Sequence, residues 1–572
     1  MSHGGRGGRA PQVVGLAVSL VVAVLLLGPA LLWPGTVLRG DMVFVPHQPW
    51  KDAWLGLDGG IPRAVPMDAL VSLATYVVPG GLLQKALLLA SFVVGGWGIA
   101  RLSRSVVDAS VWGVAAATTL FLWNPWVVER LSIGQWATVA GYALLPWVVL
   151  AAWRLRDDAS RWGGLFVLLV GSAICSPSSG VTAVLVAAVV VLAARTARSL
   201  ATLAACAVVA NLPWAVPALT LGDGVDLAPG PGFESFRAVG ESALGLVPSV
   251  LSLGGIWKVS VVPGERGAVL VVLLAVALSA VAVAGLVRSG GSRRMGSSLL
   301  AVGAVAVVLC VGPAYLPGAF TSAADVVPGL SMFRDSHRFL APLALPLSVG
   351  LAAAVSGLHR RASHGREGLV VAAGTLVVAP LLLLPSAAWG LTGDLRPVTF
   401  PGEWQEVADE LAGAGPGSTV VLPWEGSYRR FGWNDGRATL DPAPRLLPGD
   451  VLVDDRIVLD DDVLPGEDAR LGEVTVALDS ADPGAALSDL GVRWVLVEKP
   501  LPASYAVPPG EVVVDTAGLT LVDLSEPTGA APQDDRPWRR WAVLGGDAVV
   551  VLSLVGVSVV HLRRGRYAPA RT

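Results

Sequence analysis

The sequence predicts an all-α membrane protein with about 12 transmembrane helices and a small α/β domain outside the membrane. Hydrophobic residues make up 53% and charged residues 15% of the 572 residues, and the mean hydropathy is +0.63. This composition is far from that of a soluble globular protein. The apolar residues are also gathered into runs, most of which approach the roughly 20 residues that a ~30 Å hydrocarbon layer requires.

Twelve apolar runs are candidate spans. The two runs within 162–194 are shorter than the others, so we expect these segments to be tilted or re-entrant. The runs lie near residues 13–33, 82–100, 108–124, 136–153, 162–177, 179–194, 199–220, 267–287, 298–315, 339–357, 368–390 and 541–560.

The distribution of arginine predicts the orientation in the membrane. Lys and Arg near the ends of spans stay on the cytoplasmic side. With the N-terminus inside, the short inner segments hold 19 arginines. We therefore predict a multi-pass plasma-membrane protein with both termini in the cytoplasm. Residues 1–390 would form a transmembrane domain of about 11 helices, and residues 541–572 the last helix with a basic cytoplasmic tail.

Residues 391–540 are predicted to form an extracytoplasmic soluble α/β domain. They contain 27 acidic and 12 basic residues, a net charge of −15, which excludes nucleic acid and anionic lipid as partners of this domain. The residue pattern predicts helices at 403–413 and 484–490, strands at 418–423 and 492–498, and a hairpin of 511–515 with 519–523. Five aromatic residues are candidates either for stacking on a glycan or for packing a small core, namely Trp404, Trp424, Tyr428, Trp433 and Trp494.

The first outer loop, residues 34–80, carries a candidate general base. Asp41 follows Gly40 close to the membrane boundary, in a loop too long for a simple connector. A carboxylate there could accept a proton from an attacking hydroxyl, although a solvated turn residue is the alternative. His47 and Asp52 are accessory candidates, and with Asp41 they could gather a divalent cation. Because such spacings occur often by chance, we predict no metal and no other cofactor.

The second outer loop places an acid and a base side by side at the membrane edge. Glu129 and Arg130 are adjacent, and Glu129 and the following Gln135 are accessory candidates. Arg130 is a candidate for binding phosphate, because a guanidinium pairs bidentately with phosphate oxygens. The alternative is an arginine that snorkels to the surface beside a solvated glutamate.

A third cluster of charged residues directly precedes the tenth predicted span, residues 339–357. If the helix already includes Arg334, then Arg334 and Arg338 share a face by their i, i+4 spacing, with His337 beside them. The alternative is ordinary flanking charge. Positive residues should be scarce on the outer side, however, so an outer pair of arginines requires a partner such as phosphate.

The chain resembles the polytopic GT-C glycosyltransferases that use polyprenyl-phosphate-linked sugars, in particular the actinobacterial arabinofuranosyltransferase-like and YfhO-like membrane proteins. Many members have a paired acidic motif in the first loop, whereas here Met42 follows Asp41. The resemblance rests on Gly40-Asp41, on Asn124-Pro125-Trp126 with Arg130, Gly134-Gln135 and Gly141-Tyr142, on residues 333–339 and on residues 490–497.

The resemblance implies transfer of one sugar from a polyprenyl-phosphate-linked donor to an acceptor hydroxyl on a glycan or glycolipid, with inversion, on the outer face of the membrane. The Ala-, Val-, Gly- and Arg-rich composition is typical of actinobacteria, where arabinose or mannose transfer of this kind serves assembly of the cell envelope. Asp41 would be the base, and Arg130, Arg334, His337 and Arg338 would bind the phosphate. A flippase for lipid-linked glycans and a non-catalytic envelope-assembly protein are the alternatives.

Overall fold

The structure is a computed structural model in which the membrane part is a bundle of α-helices. These helices are α1 (Ala10–Leu32), α2 (Met67–Thr75), α3 (Gly80–Val107), α4 (Val111–Leu122), α5 (Pro125–Ser132), α6 (Trp136–Asp157), α7 (Trp162–Cys175), α8 (Pro177–Leu192), α9 (Ala197–Leu219), α10 (Gly232–Ser235), α11 (Leu246–Leu251), α12 (Val269–Arg288), α13 (Arg293–Tyr315), α14 (Pro317–Val326), α15 (Ala344–Ala362), α16 (Glu367–Leu383) and α17 (Ala388–Thr392). The structure describes residues 10–566 except 59, 193–195, 222–231, 328, 363–366, 416, 459–462, 465, 467, 502–504, 526 and 530–535.

The helices match the twelve predicted apolar runs. One span is bent by 68° between Glu367–Leu383 and Pro385–Thr392, and Ala159–Cys175 and Pro177–Leu192 are the two short apolar helices. The predicted fold class is confirmed. The predicted basic tail beyond residue 566 lies outside the described residues. Within the described residues, nine helical segments are long and apolar enough to cross a membrane: Ala10–Leu32, Gly80–Val107, Val111–Ser132, Trp136–Asp157, Ala197–Leu219, Val269–Arg288, Arg293–Tyr315, Ser336–Ala362 and Pro537–Val560.

Two segments form the buried centre of the bundle. They are Val111–Ser132, which comprises α4 and α5, and Ser336–Ala362, which comprises a 3₁₀ helix (Ser336–Leu343) and α15. Close approach is possible because Gly113 of α4 lies against the backbone of Ala352, where a Cβ atom would be 2.6 Å from the carbonyl oxygen. Arg130 and His337 lie on these segments, so the predicted site is built on the least exposed part of the bundle.

The α/β part follows the bundle. Its elements are α18 (Glu403–Gly413), β1 (Ser418–Leu422), β2 (Tyr428–Arg429), β3 (Thr439–Leu440), α19 (Ala443–Leu446), β4 (Val451–Leu452), β5 (Ile457–Val458), β6 (Val463–Leu464), α20 (Ala469–Leu478), α21 (Pro483–Asp489), β7 (Val492–Glu498), β8 (Glu511–Asp515) and β9 (Leu519–Asp523), followed by α22 (Pro537–Arg566). The main sheet has the order β4-β1-β7-β9-β8, in which β4, β1 and β7 are parallel and β7, β9 and β8 are antiparallel. The predicted helices at 403–413 and 484–490, strands and hairpin are all present, whereas α19, α20, β4 and the small β2–β3 and β5–β6 hairpins were not predicted.

Core packing accounts for most of the aromatic residues proposed for glycan stacking. Trp404, Trp424 and Trp494 are buried between the sheet and its helices. Trp433 is half-buried and stacks on Phe431 at 5.0 Å between ring centroids. A glycan cannot reach the three buried rings, so for them the packing alternative is correct.

Two glycine turns join the first loop to the bundle and to the α/β part. Gly40 donates to Ala438 O at 2.8 Å, next to β3, and Asp41 donates its backbone N–H to Ile133 O at 3.0 Å. Gly40 and Gly134 both have positive φ, at 53° and 87°. A Cβ atom on Gly134 would lie 2.1 Å from the Arg39 carbonyl oxygen. Glycine is required at both positions, because only it combines this backbone conformation with such close approach.

Replacing Gly134 with alanine should destabilise the protein, because the new methyl group needs space that the Arg39 backbone occupies. We expect a loss of at least about 2 kcal/mol of unfolding free energy, measured as a lower unfolding temperature in detergent. Gly164→Ala is the matched control, since a Cβ atom there meets nothing within 4 Å. Equal unfolding temperatures for the two variants would contradict this account of the turn.

Candidate active site at one end of the helix bundle

The carboxylate of Asp41 receives hydrogen bonds from two separate parts of the chain. The Tyr428 hydroxyl donates to Oδ1 at 2.5 Å, and the Gln135 amide donates to Oδ2 at 3.2 Å. Burial, reinforced by the negative charge of Asp41, raises the pKa of Tyr428 well above its ordinary value, so the hydroxyl stays protonated. Each carboxylate oxygen can accept a further hydrogen bond. Asp41 is therefore oriented and can still bind a substrate hydroxyl.

A buried ion cluster fixes β2, the strand that carries Tyr428. Its next residue, Arg429, pairs with Glu498 of β7 at 2.7 Å and with Asp441 at 3.2 Å. Burial and the nearby Asp441 carboxylate raise the pKa of Glu498 well above its usual range. This cluster ties β2 to the main sheet, so the position of the Tyr428 hydroxyl follows from the folding of the α/β part.

Arg130 is the centre of a buried polar network. Its guanidinium is 0% exposed and pairs with both oxygens of Asp335, at 2.7 and 2.9 Å. It also donates to Gln135 Oε1 at 2.7 Å and to His337 Nδ1 at 2.8 Å. Gln135 thus bridges Arg130 and Asp41. The predicted direct contact between Arg130 and a phosphate is not available in this geometry, because the guanidinium is enclosed and engaged by protein acceptors.

His337 is fully buried, so it is not accessible for the predicted contact with a phosphate. Because a guanidinium can only donate, Nδ1 of His337 must be the acceptor of the Arg130 hydrogen bond and Nε2 must carry the proton. Nε2 lies 3.5 Å from the Glu129 carboxylate, which is also fully buried. Among the described residues, neither oxygen of Glu129 has a hydrogen-bond partner. Because Glu129 and Arg130 are both fully buried, the alternative of an arginine that snorkels beside a solvated glutamate is wrong.

Arg338 has the accessible guanidinium of the network. It pairs with Asp335 at 2.9 Å, and its side chain is 34% exposed. Burial alone would raise the pKa of Asp335, but the guanidiniums of Arg130 and Arg338 outweigh it and hold that pKa well below the ordinary range. Asp335 is therefore ionised and holds Arg130 and Arg338 side by side, with Arg338 nearer to solvent.

Arg334 does not share a helical face with Arg338. The helix here is 3₁₀ and begins at Ser336, so the assumed i, i+4 relation is absent. The Arg334 guanidinium lies over the Phe236 ring, 5.3 Å from its centroid. The two arginines accordingly have different surroundings, and Arg338 is the one joined to the network of Asp335.

The other two accessory candidates lie in separate contacts. The His47 ring packs edge-on against Tyr76 at 4.5 Å between centroids, and Asp52 forms an ion pair with Arg540 of α22. Within the described ranges, no group of three or more His, Cys, Asp or Glu residues could hold a metal ion. The spacing of Asp41, His47 and Asp52 along the sequence therefore does not become a cation site in space.

A polar cleft beside Arg338 continues into an apolar groove. The cleft has a cavity volume of about 10 Å³, and Arg338, Thr138, Ser178 and Ser179 are among its lining residues. The groove, of the same cavity volume, shares Thr182 with the cleft and runs between α8 and α13 along aliphatic side chains. A cation and hydroxyl groups therefore line one pocket, and hydrocarbon lines most of the adjoining one.

Sequence reasoning missed two residues that complete the site. Tyr428 contacts Asp41 across 387 positions of sequence, and no local pattern signals such a contact. Asp335 lies within residues 333–339, on which the resemblance rests, but the sequence alone predicted no role for it. An acid between two arginines could have been recognised there, because an isolated positive cluster at a membrane edge needs a counter-charge.

The fold defines a polytopic membrane protein. Residues 257–534 match the family model described as alpha-(1->3)-arabinofuranosyltransferase, N-terminal GT-C domain. No curated protein matches the chain.

Two solved structures of the arabinofuranosyltransferase AftD from mycobacteria, one of them a mutant, have the same fold. They match 92% of this chain with TM-scores of 0.57 and 0.58 at 18% and 19% identity. The match covers 40% and 42% of those chains, so this chain spans less than half the length of these relatives. The chain thus has the fold of these structures, and its residues 257–534 resemble the N-terminal GT-C domain of that family, as predicted.

Replacing Asp335 with asparagine should destabilise the bundle, because it leaves the buried Arg130 charge without its counter-ion. We expect a loss of about 3 kcal/mol in unfolding free energy, by analogy with other broken buried pairs. A carboxylate whose pKa is lowered in the folded state stabilises the protein fully above its unfolded pKa of about 3.9. This stabilisation is lost only as the pH falls below that value. The difference in unfolding temperature should therefore be constant from about pH 6 to 8.

Asp325→Asn provides the control for this substitution, because Asp325 is an exposed carboxylate of α14. If Asp335→Asn and Asp325→Asn unfold at the same temperature, the buried pair does not stabilise the site.

Proposed function

We propose that the chain transfers a sugar from a polyprenyl-phosphate-linked donor to an acceptor hydroxyl. The observation that carries this proposal is the proximity of a candidate base and an accessible cation. Asp41 is connected to Arg338 through Gln135, Arg130 and Asp335, and Arg338 lies at the junction with the cleft. The relatives' name, arabinofuranosyltransferase, makes arabinofuranose the first sugar to test.

Asp41 is the proposed base. The acceptor oxygen attacks the anomeric carbon, its proton passes to an oxygen of Asp41, and the bond between that carbon and the phosphate oxygen breaks. The configuration at the carbon inverts because attack and departure occur on opposite faces. Tyr428 and Gln135 orient the carboxylate for this transfer without supplying a second acid. No acid is needed for departure, because phosphate leaves as an anion.

Arg338 is the proposed phosphate-binding residue. The leaving phosphate gains negative charge as the bond breaks, and a positioned guanidinium stabilises that charge. Asp335 holds Arg338 on one side and leaves a third of its side chain exposed toward solvent and the cleft. Arg130, His337 and Glu129 act behind this contact by fixing Asp335, so we propose them as positioning residues.

The apolar groove is the proposed site for the carrier chain. It begins at Thr182, where the cleft ends, and its other lining residues are aliphatic or aromatic side chains and Pro342. A polyprenyl chain is hydrocarbon and gains free energy by leaving water along such a surface. A phosphate bound at Arg338 would therefore have its lipid tail between α8 and α13.

Topology supports reaction on the outer face of the plasma membrane. The arginine-rich ends of the spans are the proposed cytoplasmic side, as the positive-inside rule predicts. Residues 391–540 and Asp41 then lie outside, where a cell-envelope glycan or glycolipid could supply the acceptor hydroxyl.

Exchanging Asp41 for asparagine should abolish transfer while preserving binding of the donor. Loss of a general base typically costs about 10²–10⁴ in rate, and the asparagine oxygen can still accept from Tyr428. The measurement is transfer from polyprenyl-phosphate arabinofuranose, together with binding of that lipid. Asp52→Asn is the matched control in the same loop. A fully active Asp41→Asn variant would show that Asp41 is not the base. If the protein were a flippase instead, the Asp41→Asn variant should translocate the lipid as the wild-type protein does.

Exchanging Arg338 for glutamine should weaken donor binding and lower transfer together, because the phosphate loses its charged contact. A charge-assisted hydrogen bond is worth about 1.5–3 kcal/mol, so KM for the donor should rise at least tenfold. Arg361→Gln, an exposed arginine at the other end of α15, is the control. An unchanged KM in Arg338→Gln would place the phosphate elsewhere.

A further inference from the structure

We propose that Arg101 of α3 binds the phosphate group of an anionic phospholipid. The proposal goes beyond the proposed function, because it concerns the other end of the bundle and does not depend on sugar transfer. Helix α3 begins at Gly80, which donates to Pro46 O in the first outer loop, and Arg101 lies about 30 Å farther along the helix. On the proposed topology, Arg101 faces the cytoplasmic leaflet.

An aromatic cradle holds the Arg101 guanidinium. Its central carbon lies 5.7 Å from the ring centroid of Trp97, one helical turn earlier, and 5.6 Å from that of Trp147 on α6. The two rings are nearly perpendicular, at 77°, with centroids 5.2 Å apart. Contacts of this kind stabilise a cation without a hydrogen bond.

The cradle is built into the contact between α3 and α6. Trp147 donates its indole N–H to Val94 O at 3.0 Å, which fixes the ring. Gly98 makes room for this ring, since a Cβ atom there would lie 2.5 Å from the Trp147 indole nitrogen. The position of Arg101 therefore follows from the packing of two helices.

The N–H edge of the guanidinium still requires an acceptor. A guanidinium has five N–H donors in its plane, and contacts with ring faces do not satisfy them. Within the described part of the chain, the Arg101 guanidinium forms no hydrogen bond and no ion pair. Arg104, about one turn farther along, differs because it pairs with Asp108 at 2.9 Å and donates to Ala109 O at 2.9 Å. Arg101 therefore keeps a charge that no described carboxylate neutralises.

The surface that leads to Arg101 matches the apolar part of a lipid. Helix α3 has 28 residues, more than the roughly 20 that the hydrocarbon layer requires, so Arg101 falls near the boundary with the headgroups. A stripe at helical spacing precedes it and is exposed or half-buried and entirely apolar, formed by Leu82, Ala86, Ala90, Val93 and Trp97. A phosphate bound at Arg101 would place the acyl chains along this stripe.

The charge of the site favours an anionic lipid. A zwitterionic headgroup carries its own ammonium group close to its phosphate, whereas an anionic headgroup offers net negative charge to an arginine. The uncompensated charge of Arg101 therefore selects the anionic lipid.

The test compares the affinity of the full chain in detergent for phosphatidylglycerol and for phosphatidylcholine with the same acyl chains, measured by native mass spectrometry. We expect the wild-type protein to bind the anionic lipid about tenfold more tightly, the value of one charge-assisted hydrogen bond. Arg101→Gln should remove this preference and leave the affinity for phosphatidylcholine unchanged. Trp97→Leu keeps the charge but removes one ring, so it should reduce the preference about two- to fivefold.

Arg104→Gln is the matched control, because it removes an arginine from the same end of α3 that already has its own acceptors. This variant should keep the preference for phosphatidylglycerol. Unfolding temperatures of both variants in detergent establish that each is folded.

Three results would overturn the lipid site. One is equal wild-type affinity for the two lipids, including no binding of either. Another is a preference that Arg101→Gln leaves at the level of Arg104→Gln. The third is displacement of phosphatidylglycerol by inorganic phosphate at similar concentration, which would show a site for free anions. We expect no such displacement, because inorganic phosphate has no acyl chains to contact the apolar stripe.

Discussion

The buried guanidinium of Arg130 is the constraint on which the geometry of the site depends. A charge with 0% exposure is costly unless counter-charge and hydrogen-bond acceptors surround it. Asp335, Gln135 and His337 meet that need, and each comes from a segment outside α5. The second outer loop, the 3₁₀ helix and the start of α6 must therefore meet at one place. The position of Asp41 follows from this arrangement, because Gln135 forms hydrogen bonds with both Arg130 and Asp41.

Arg130 and Arg338 have different roles at the membrane boundary. Arg130 is enclosed and organises its neighbours, whereas Arg338 shares Asp335 with it and keeps an accessible edge beside the cleft. The same division extends to the α/β part, whose Arg429 is buried in an ion cluster while the neighbouring Tyr428 reaches Asp41. In both places a buried arginine paired with a carboxylate lies next to the functional group.

Periodicity and charge predicted the elements well, because they depend on neighbours in sequence. The bounds of α18, β7 and the β8–β9 hairpin follow from local pattern, and the apolar runs follow from hydrophobicity. The site was predicted only in part. Asp41, Arg130 and Arg338 were singled out by type and position and lie in one network, but burial separates an accessible arginine from one that is enclosed in the fold. Burial depends on long-range contacts such as Arg130 with Asp335, 205 positions apart, which no local spacing encodes.

A structure with a bound polyprenyl-phosphate analogue tests the central claim most directly. We expect the phosphate oxygens to lie within hydrogen-bond distance of the Arg338 guanidinium, with Arg130 still enclosed by Asp335 and His337. We also expect the hydrocarbon chain to follow the groove between α8 and α13 and the Asp41 carboxylate to face the anomeric position. A phosphate bound away from Arg338, or a lipid chain outside that groove, would contradict the proposed site.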